Sequence, residues 1–314
     1  MPSYATLRDC FRGALLGTAI GDALGAPFEG RRRVDLDAVT AWASADGALR
    51  WTDDTHMTIG VAESLTARGG FDGAHMAGCF VSNFEAEPWR GYGPGPPMVF
   101  KAIRAGAAWH EPAAALFRGQ GSFGNGAAMR VAPVGLFLLR DLPAVARTAR
   151  DTARITHAHP VGQDGAAVQA CAVALLAAAT PTSITTRGLL DELRAIAGTG
   201  PFHDKLRDLE LYAEASPQAA IEVLGNGIAA EEAVSAALFA AMHHIDSFPS
   251  AVITAIGLGG DTDTIAAMTG ALAGALHGAE AIPGTWRARL ESRDRLEALA
   301  GDLFTAAAGR RFGA

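Results

Sequence analysis

Glycine recurs at every fourth position in two segments near opposite ends of the chain. A spacing of four residues places side chains on one face of an α-helix. A glycine in a helix interior costs roughly 1 kcal/mol relative to alanine, so close packing has to offset that cost. The pattern therefore predicts helices that pack backbone to backbone. The glycines concerned are Gly13, Gly17, Gly21, Gly25, Gly270, Gly274 and Gly278.

The rest of the chain also has the pattern of helices. Three long alanine-rich segments, 165–179, 229–244 and 263–278, are bounded by proline, glycine or polar residues, as helix ends often are. Alternating runs of Val, Ile, Tyr and Thr, which are typical of strands, are missing from the sequence. The breaks between helices are too short to be clear domain linkers. We therefore expect an all-α fold, formed by a single compact domain that spans residues 1–314.

Composition and charge narrow the classes of function. Hydrophobic residues make up 49% of the 314 residues and charged residues 19%, which is typical of a globular protein. The formal net charge of −7 disfavours nucleic acid and an anionic membrane surface as partners. The apolar stretch 13–25 contains Asp22 and lacks the basic start of a signal peptide. The three cysteines are scattered and suit a reducing compartment, so we expect a cytoplasmic protein. We also expect the protein to act as a monomer.

Two acidic motifs, each at the start of a predicted helix, carry the strongest chemical signal. The first is WTDDTH, with Asp53 and Asp54 side by side, and the second is GLGGDTDT, with Asp261 and Asp263. Either motif alone is compatible with a helix cap beside a solvated carboxylate, because acidic side chains suit the positive end of the helix dipole. Two motifs that are so similarly placed instead predict two halves of one site. Arg50 is the only basic residue directly beside either motif, a single positive charge for four carboxylates. Divalent cations are therefore the economical source of positive charge, and oxygen ligands favour Mg²⁺ or Mn²⁺ over Zn²⁺.

The segment GDALGAPFEG at 21–30 adds two further carboxyl groups. We interpret Asp22 as a partly exposed helix residue or as a group that supports the metal ligands. Glu29 lies in a turn just before Arg31–Arg33. The residues alone therefore favour a surface glutamate that pairs with these arginines.

A glycine-rich loop at 119–126 runs into an apolar segment that we predict to be a helix. Glycines let backbone N–H groups approach an anion, and a helix start favours negative charge. Phe117 and Phe123 accompany the loop and could stack a base, while its backbone could hold a pyrophosphate. A lone glycine-rich loop is more often an ordinary turn, and the loop by itself favours that interpretation. In ITHAHP at 155–160, His157 and His159 have no matching Cys or His cluster, so a zinc site is not expected there.

Five motifs in this order resemble the ADP-ribosylglycohydrolases, the family of dinitrogenase reductase-activating glycohydrolase and the vertebrate ADP-ribosylhydrolases. The resemblance runs from about residue 8 to about residue 290 and is weakest at 180–225, where nothing diagnostic is present. It implies a single orthogonal helical bundle with a centre of two Mg²⁺ or Mn²⁺ ions. The motifs are GALLGTAIGDALGAPFEG, WTDDTHM, GSFGNGAAMR, ITHAHP and GGDTDTIAAMTGALAGALHG.

The resemblance also implies roles for individual residues. The implied metal ligands are Thr52, Asp53, Asp54, Asp261, Asp263 and Thr264. The implied substrate-binding residues are Phe117, Gly121, Ser122, Phe123, Gly124, Asn125 and His157. Glu29, Asp54 and Asp261 are the implied catalytic residues, which replaces the surface interpretation of Glu29.

The implied reaction is the metal-dependent removal of ADP-ribose from a protein side chain, Arg or Ser, through an oxocarbenium-like transition state. The metals would orient the distal ribose through its hydroxyl groups and activate water. The expected partners are an ADP-ribosylated protein and the product ADP-ribose. Two alternatives stay open. The chain could hydrolyse a small conjugate such as O-acetyl-ADP-ribose, or it could be a silent binding or structural protein of the same fold.

Overall fold

The computed structural model describes residues 3–309, and α-helices form almost all of the regular structure in them. The described part contains seventeen α-helices and no strand, with two isolated bridges, Leu49 to Leu290 and Gly124 to Ala229. The prediction of an all-α fold is confirmed. In chain order the helices are α1 (Tyr4–Gly25), α2 (Leu36–Ser44), α3 (Asp53–Arg68), α4 (Gly73–Ala86), α5 (Gly95–Arg104), α6 (Glu111–Gly119), α7 (Ala132–Phe137), α8 (Leu142–Ala153), α9 (Pro160–Ala177), α10 (Thr186–Ala197), α11 (Pro201–Leu211), α12 (Pro217–Leu224), α13 (Ala230–His243), α14 (Phe248–Gly257), α15 (Thr262–His277), α16 (Gly284–Arg289) and α17 (Arg293–Gly309).

The two glycine rows face each other across the pair of helices α1 and α15, which is the most extensive helix pair in the described chain. A Cβ atom added to Gly17 would overlap the carbonyl oxygen of Gly270, and one added to Gly13 would overlap that of Gly274. A Cβ atom on Gly21 would overlap the carbonyl oxygen of Ala266. The predicted backbone-to-backbone packing is therefore confirmed, and it joins the two rows to each other.

The pairing is antiparallel, so the end of α1 lies beside the start of α15. Gly25 at the end of α1 contacts the backbone of Thr262, and the Thr262 hydroxyl donates a hydrogen bond of 2.9 Å to the Gly25 carbonyl oxygen. The segment that follows α1, which contains Glu29, consequently meets the GLGGDTDT motif at the start of α15 at one end of the helix pair.

The other helices enclose this pair. Helices α9, α13 and α14 pack along α15, and α3 and α17 pack along α1. The buried apolar side chains form one continuous cluster, and the buried Gln169 of α9 donates a hydrogen bond to the Met268 carbonyl oxygen of α15. No helix in residues 3–309 has the length and apolar character needed to cross a lipid bilayer.

We predict that Gly17→Ala lowers the free energy of unfolding by roughly 1–3 kcal/mol, the usual effect of overpacking a core. The backbone of Gly270 leaves no room for the added methyl group. The matched control is Gly78→Ala within α4, where nothing lies within 4 Å of the added atom. That control should raise stability by up to about 1 kcal/mol, because alanine favours helices. Urea unfolding measures both effects, and equal changes in the two variants would contradict the close packing.

Candidate active site

Three helix ends bring the predicted acidic residues into one cleft. Glu29 follows the 3₁₀ turn Ala26–Phe28 after α1, Asp53 and Asp54 begin α3, and Asp261 and Asp263 begin α15. Glu29, Asp261 and Asp263 each offer a carboxylate oxygen, and these oxygens lie within 4.8 Å of one another. Glu29 makes no ion pair with Arg31–Arg33 in the described chain, so the interpretation as a paired surface glutamate is wrong. The carboxyl group lies with the acidic cluster instead.

Asp22 connects α1 to the start of α3. Its side chain is fully buried, not partly exposed as one of our interpretations had it. The backbone N–H and the hydroxyl of Thr52 donate to its carboxylate, the hydroxyl at 2.8 Å. Thr55 donates in the same two ways, its hydroxyl at 2.6 Å. Because the Thr52 hydroxyl gives its proton to Asp22, its lone pairs remain free for a cation.

The donor set of the cleft fits divalent cations. Burial raises the pKa values of Asp53 and Asp54, and both lie close enough to the start of α15 for the charge of Asp261, and at Asp54 also that of Asp263, to raise them further. The predicted ligands in the two segments are all oxygen donors of the kind that suits Mg²⁺ or Mn²⁺. One carboxylate oxygen of Asp54, Oδ1, is buried and has no hydrogen-bond partner. A buried acceptor without a partner is costly, and a cation would remove that cost. Thr262, the other threonine of the motif, is bonded to Gly25 and contributes to packing.

Burial and mutual repulsion raise the pKa values of the clustered carboxyl groups. Burial, with the Asp261 charge next, raises the pKa of Asp263 to about 9. Burial, followed by the charge of Asp22, raises the pKa of Asp53 to about 7 and that of Asp54 well above its ordinary value. The pKa of Glu29 rises for the same reasons, burial first and the Asp261 charge second. The cluster is therefore strained electrostatically unless positive charge enters it.

The loop with the predicted aromatic residues carries both rings at the protein surface. Phe117 and Phe123 keep 59% and 52% of their surface exposed, which leaves both rings open to a ligand. Phe117 and Arg118 have φ angles of 50° and 60° and break α6 near its end. This conformation is strained in residues other than glycine. The helix that we expected directly after the loop, α7, begins only at Ala132, because the 3₁₀ turn Asn125–Ala127 comes first.

Asn125 joins the loop to the acidic cluster. Its side-chain Nδ2 donates a hydrogen bond of 2.6 Å to Oδ2 of Asp261, and the residue is buried. Gly121 has a φ of 73° and packs on the backbone of Ala158 and His159, so the loop rests on the ITHAHP turn. The Ser122 hydroxyl accepts a hydrogen bond from the Gly124 N–H. The loop and the acidic cluster therefore belong to one continuous site.

His157 lies behind the loop as a neutral imidazole. Burial, together with the nearby Arg130 charge, lowers its pKa to about 3. Its Nδ1 is 2.8 Å from the Thr156 hydroxyl, and its ring packs against Gly126, where an added Cβ would lie 2.8 Å from Cε1. The other nitrogen, Nε2, is nearest to the Gly124–Gly126 backbone. His157 therefore packs closely against the backbone of this loop.

Arg130 is a site residue that the sequence reasoning missed. Its guanidinium is fully buried over the Phe80 ring and donates to the carbonyl oxygens of Gly126 and Thr152. Burial lowers its pKa to about 9, while Asp53 acts in the opposite direction. Arg130 ends the GSFGNGAAMR motif, so the signal was present, but its distance in sequence from both acidic motifs concealed it.

Two residues after α12 also border the cleft and were not predicted. The carbonyl oxygen of Asn226 accepts the N–H of Asp261 at 2.9 Å, and that of Ile228 accepts the N–H of Asn125 at 3.0 Å. Ile228 is 70% exposed, and its neighbour Ala230 donates its N–H to the Phe123 carbonyl oxygen. These backbone bonds join the segment after α12 to Asp261 and to the loop. Only tertiary contacts reveal this role.

Comparisons with known proteins agree with this geometry. A sequence profile described as ADP-ribosylglycohydrolase matches residues 3–312. The chain is 35% identical to the human ADP-ribosylhydrolase ARH3, over 93% of this chain and 92% of that protein. It is 28% identical to the ADP-ribosyl-[dinitrogen reductase] glycohydrolase of Rhodospirillum rubrum, over 94% of this chain and 98% of that protein. A solved structure described as an ADP-ribosylglycohydrolase-related protein complex is similar with a TM-score of 0.75 and 28% identity, over 96% of this chain and 99% of that chain.

We predict that the metal-free protein loses stability as the pH rises from about 5 to about 8. The folded state keeps protons on Asp53 and Asp263 that the unfolded chain releases near its ordinary pKa of about 4, so stability falls as pH rises through the folded pKa values of about 7 and about 9. Mg²⁺ should raise the melting temperature, and more so at the higher pH, because it binds the ionised carboxylates of the folded state. Thermal melting with chelator and with Mg²⁺ measures both effects.

The control is the double variant Asp53→Asn, Asp261→Asn, which removes two of the repelling charges. Its melting temperature should depend less on pH and should lose the Mg²⁺ response. A Mg²⁺ response equal to that of the wild type would contradict a cation site at this cluster.

Proposed function

The chain belongs to the ADP-ribosylglycohydrolase family and is a glycohydrolase, and from that premise we propose that it removes ADP-ribose from a modified protein side chain in a reaction that depends on Mg²⁺ or Mn²⁺. The bond to be cleaved joins C1″ of the distal ribose to a nitrogen of arginine or to the oxygen of serine. Water supplies the hydroxyl group to C1″, and the leaving group takes up a proton.

The observation that carries the proposal is the 2.6 Å hydrogen bond from Asn125 to Asp261. It joins a loop suited to a nucleotide with a cluster suited to cations. A molecule that carries adenine, a pyrophosphate and a ribose can therefore contact both parts at once. The exposed rings of Phe117 and Phe123 would hold the adenine, while the loop from Gly121 to Asn125 and the neutral His157 would hold the phosphates.

The distal ribose would then lie over the acidic residues. The bound ions, held by Thr52, Asp53, Asp54, Asp261, Asp263 and Thr264, would supply positive charge to orient the ribose and would lower the pKa of water. Hydrogen bonds from neighbouring residues hold these side chains in place. The Asp22 carboxylate accepts hydrogen bonds from the hydroxyls of Thr52 and Thr55, and Asn125 donates one to the Asp261 carboxylate. Such support keeps ligands in a productive geometry.

Glu29 is the group that we assign to proton transfer. It is the exposed carboxyl group of the acidic cluster, whereas Asp54, Asp261 and Asp263 are buried. An exposed position at the mouth of the cleft lets it reach both solvent and the leaving group. Burial and the Asp261 charge raise its pKa, which brings a carboxyl group closer to the range useful for general acid–base catalysis. Asp54 and Asp261 would act as ligands that also polarise the attacking water.

The test is the release of ADP-ribose from three substrates: an ADP-ribosyl-arginine peptide, an ADP-ribosyl-serine peptide and O-acetyl-ADP-ribose. We expect release from one or both peptides with Mg²⁺ and none with chelator. Release from O-acetyl-ADP-ribose alone would assign the chain to small conjugates. Tight ADP-ribose binding without turnover of any substrate would make it a silent binding protein.

We predict that Glu29→Gln lowers turnover of the preferred peptide by roughly 10²–10⁴-fold, the usual contribution of general acid–base catalysis. Glutamine keeps the size and the hydrogen bonding of glutamate but cannot transfer the proton. Calorimetry should show that ADP-ribose affinity persists, because the adenine and phosphate contacts lie on the loop. Near-normal turnover would remove Glu29 from the catalytic residues, and joint loss of affinity and turnover would make it a ribose or metal ligand.

We also predict that Phe123→Ala weakens ADP-ribose binding by roughly 1–3 kcal/mol, the cost of losing one stacking ring. Phe123 is half exposed, so the change should leave the free energy of unfolding nearly unaltered. Mg²⁺ affinity, measured on the same variant, is the internal control and should stay at the wild-type value. An ADP-ribose affinity equal to that of the wild type would show that the adenine lies elsewhere.

A further inference from the structure

Three consecutive arginines follow Glu29 and have no acidic partner. Arg31, Arg32 and Arg33 are exposed, and within residues 3–309 none of them makes an ion pair. The Arg31 guanidinium lies 5.1 Å from the centre of the Phe28 ring. The whole chain has a net charge of −7, so these three adjacent arginines form a positively charged patch on a negatively charged protein. Unpaired positive charge of this kind attracts acidic groups.

Arg32 and Arg33 line a groove of about 510 Å³. Gln218 and Glu222 of α12 and the following Asn226 line the same groove. This volume is within the usual range of about 300–1,000 Å³ for a ligand-binding cleft, so the groove has room for a few side chains. Two arginines against one glutamate leave it with an excess of positive charge.

The groove is built onto the acidic cluster. Asn226 lines the groove and accepts the N–H of Asp261. The Gly260 N–H donates to the Arg31 carbonyl oxygen, and the Gly30 N–H donates to the Gly260 carbonyl oxygen, both at 2.9 Å. Asp261 thus contacts the glycine-rich loop at 119–126 through its carboxylate, and it contacts Asn226 of the groove through its backbone N–H. These backbone bonds place the groove next to the acidic cluster, so residues that flank a modified side chain held at the cluster would lie near the groove.

We propose that this groove, which Arg32, Arg33 and α12 line, binds acidic residues that flank the modified side chain of the protein substrate. The proposal rests on the function proposed above and adds a sequence preference to it. Aspartate or glutamate on the substrate would pair with Arg32 and Arg33, because these two positive charges outnumber the single negative charge of Glu222 in the groove. The arginines act on substrate affinity, since they lie outside the acidic cluster.

The test compares two labelled peptides that carry ADP-ribose on the same residue, one with acidic and one with basic flanking residues. Binding is measured with the Glu29→Gln variant, so that hydrolysis does not interfere, and turnover is measured with the wild type. We expect the acidic peptide to bind roughly 10-fold more tightly, the size of one or two exposed ion pairs. The preference should weaken as salt is raised, since exposed charges are screened.

Arg32→Glu, Arg33→Glu, added to the Glu29→Gln background, should abolish or reverse the preference. The matched control is Arg8→Glu, Arg147→Glu, which changes the net charge equally at two exposed arginines that do not line the groove. This control should keep the preference. Equal affinity of the starting variant for both peptides would overturn the proposal, whatever the turnover.

The turnover measurement distinguishes a failure of the proposed hydrolysis from a failure of the proposed groove. Absence of ADP-ribose release from every peptide, with the binding preference intact, would count against the proposed function and not against the groove. Loss of affinity for an ADP-ribose oligomer in the arginine double variant, with the acidic peptide unaffected, would assign the groove to phosphates and overturn the proposal.

Discussion

The backbone contact between α1 and α15 is the interaction on which the rest of the structure depends. Carbonyl oxygens of one helix occupy the space that side chains would need on the other, from Gly13 opposite Gly274 to Gly25 opposite Thr262. Because the pair is antiparallel, this contact fixes the end of α1 beside the start of α15. Glu29 and Asp261 belong to these two ends. The helix packing brings these two ends together, and the backbone hydrogen bonds between Gly30, Arg31 and Gly260 hold the turn with Glu29 beside Asp261.

The acidic cluster at these helix ends destabilises the folded state by charge repulsion, but it also supplies ligands for cations. Asp22 and Asp54 are buried almost completely, and Asp54 retains an oxygen without a partner. The buried guanidinium of Arg130 offsets part of the repulsion at Asp53, but its hydrogen bonds go to backbone carbonyl oxygens. Divalent cations would therefore convert a destabilising group of charges into a stabilised centre. We infer that metal binding and folding are coupled here.

The helices and the two acidic motifs could be predicted from the sequence, because patterns of neighbouring residues determine them. The glycine rows, the helices and the two acidic motifs each depend on neighbours within a few residues. Glu29 was placed wrongly by local reasoning, since only the fold brings it to Asp261. Arg130, Ile228 and Asn226 were missed for the same reason: their partners lie far away in sequence. The strained backbone at Phe117 and Arg118 carries no sequence signal, because neither residue favours a positive φ.

We propose that the ends of α1, α3 and α15 together form a site for a pair of divalent cations. The most direct measurement is an anomalous difference map from crystals of the protein soaked in Mn²⁺. We expect two peaks in the cleft, with oxygen atoms of the Thr52–Asp54 segment and of the Asp261–Thr264 segment around them. A map without peaks in the cleft, or with Mn²⁺ bound only at surface carboxylates elsewhere, would contradict the account.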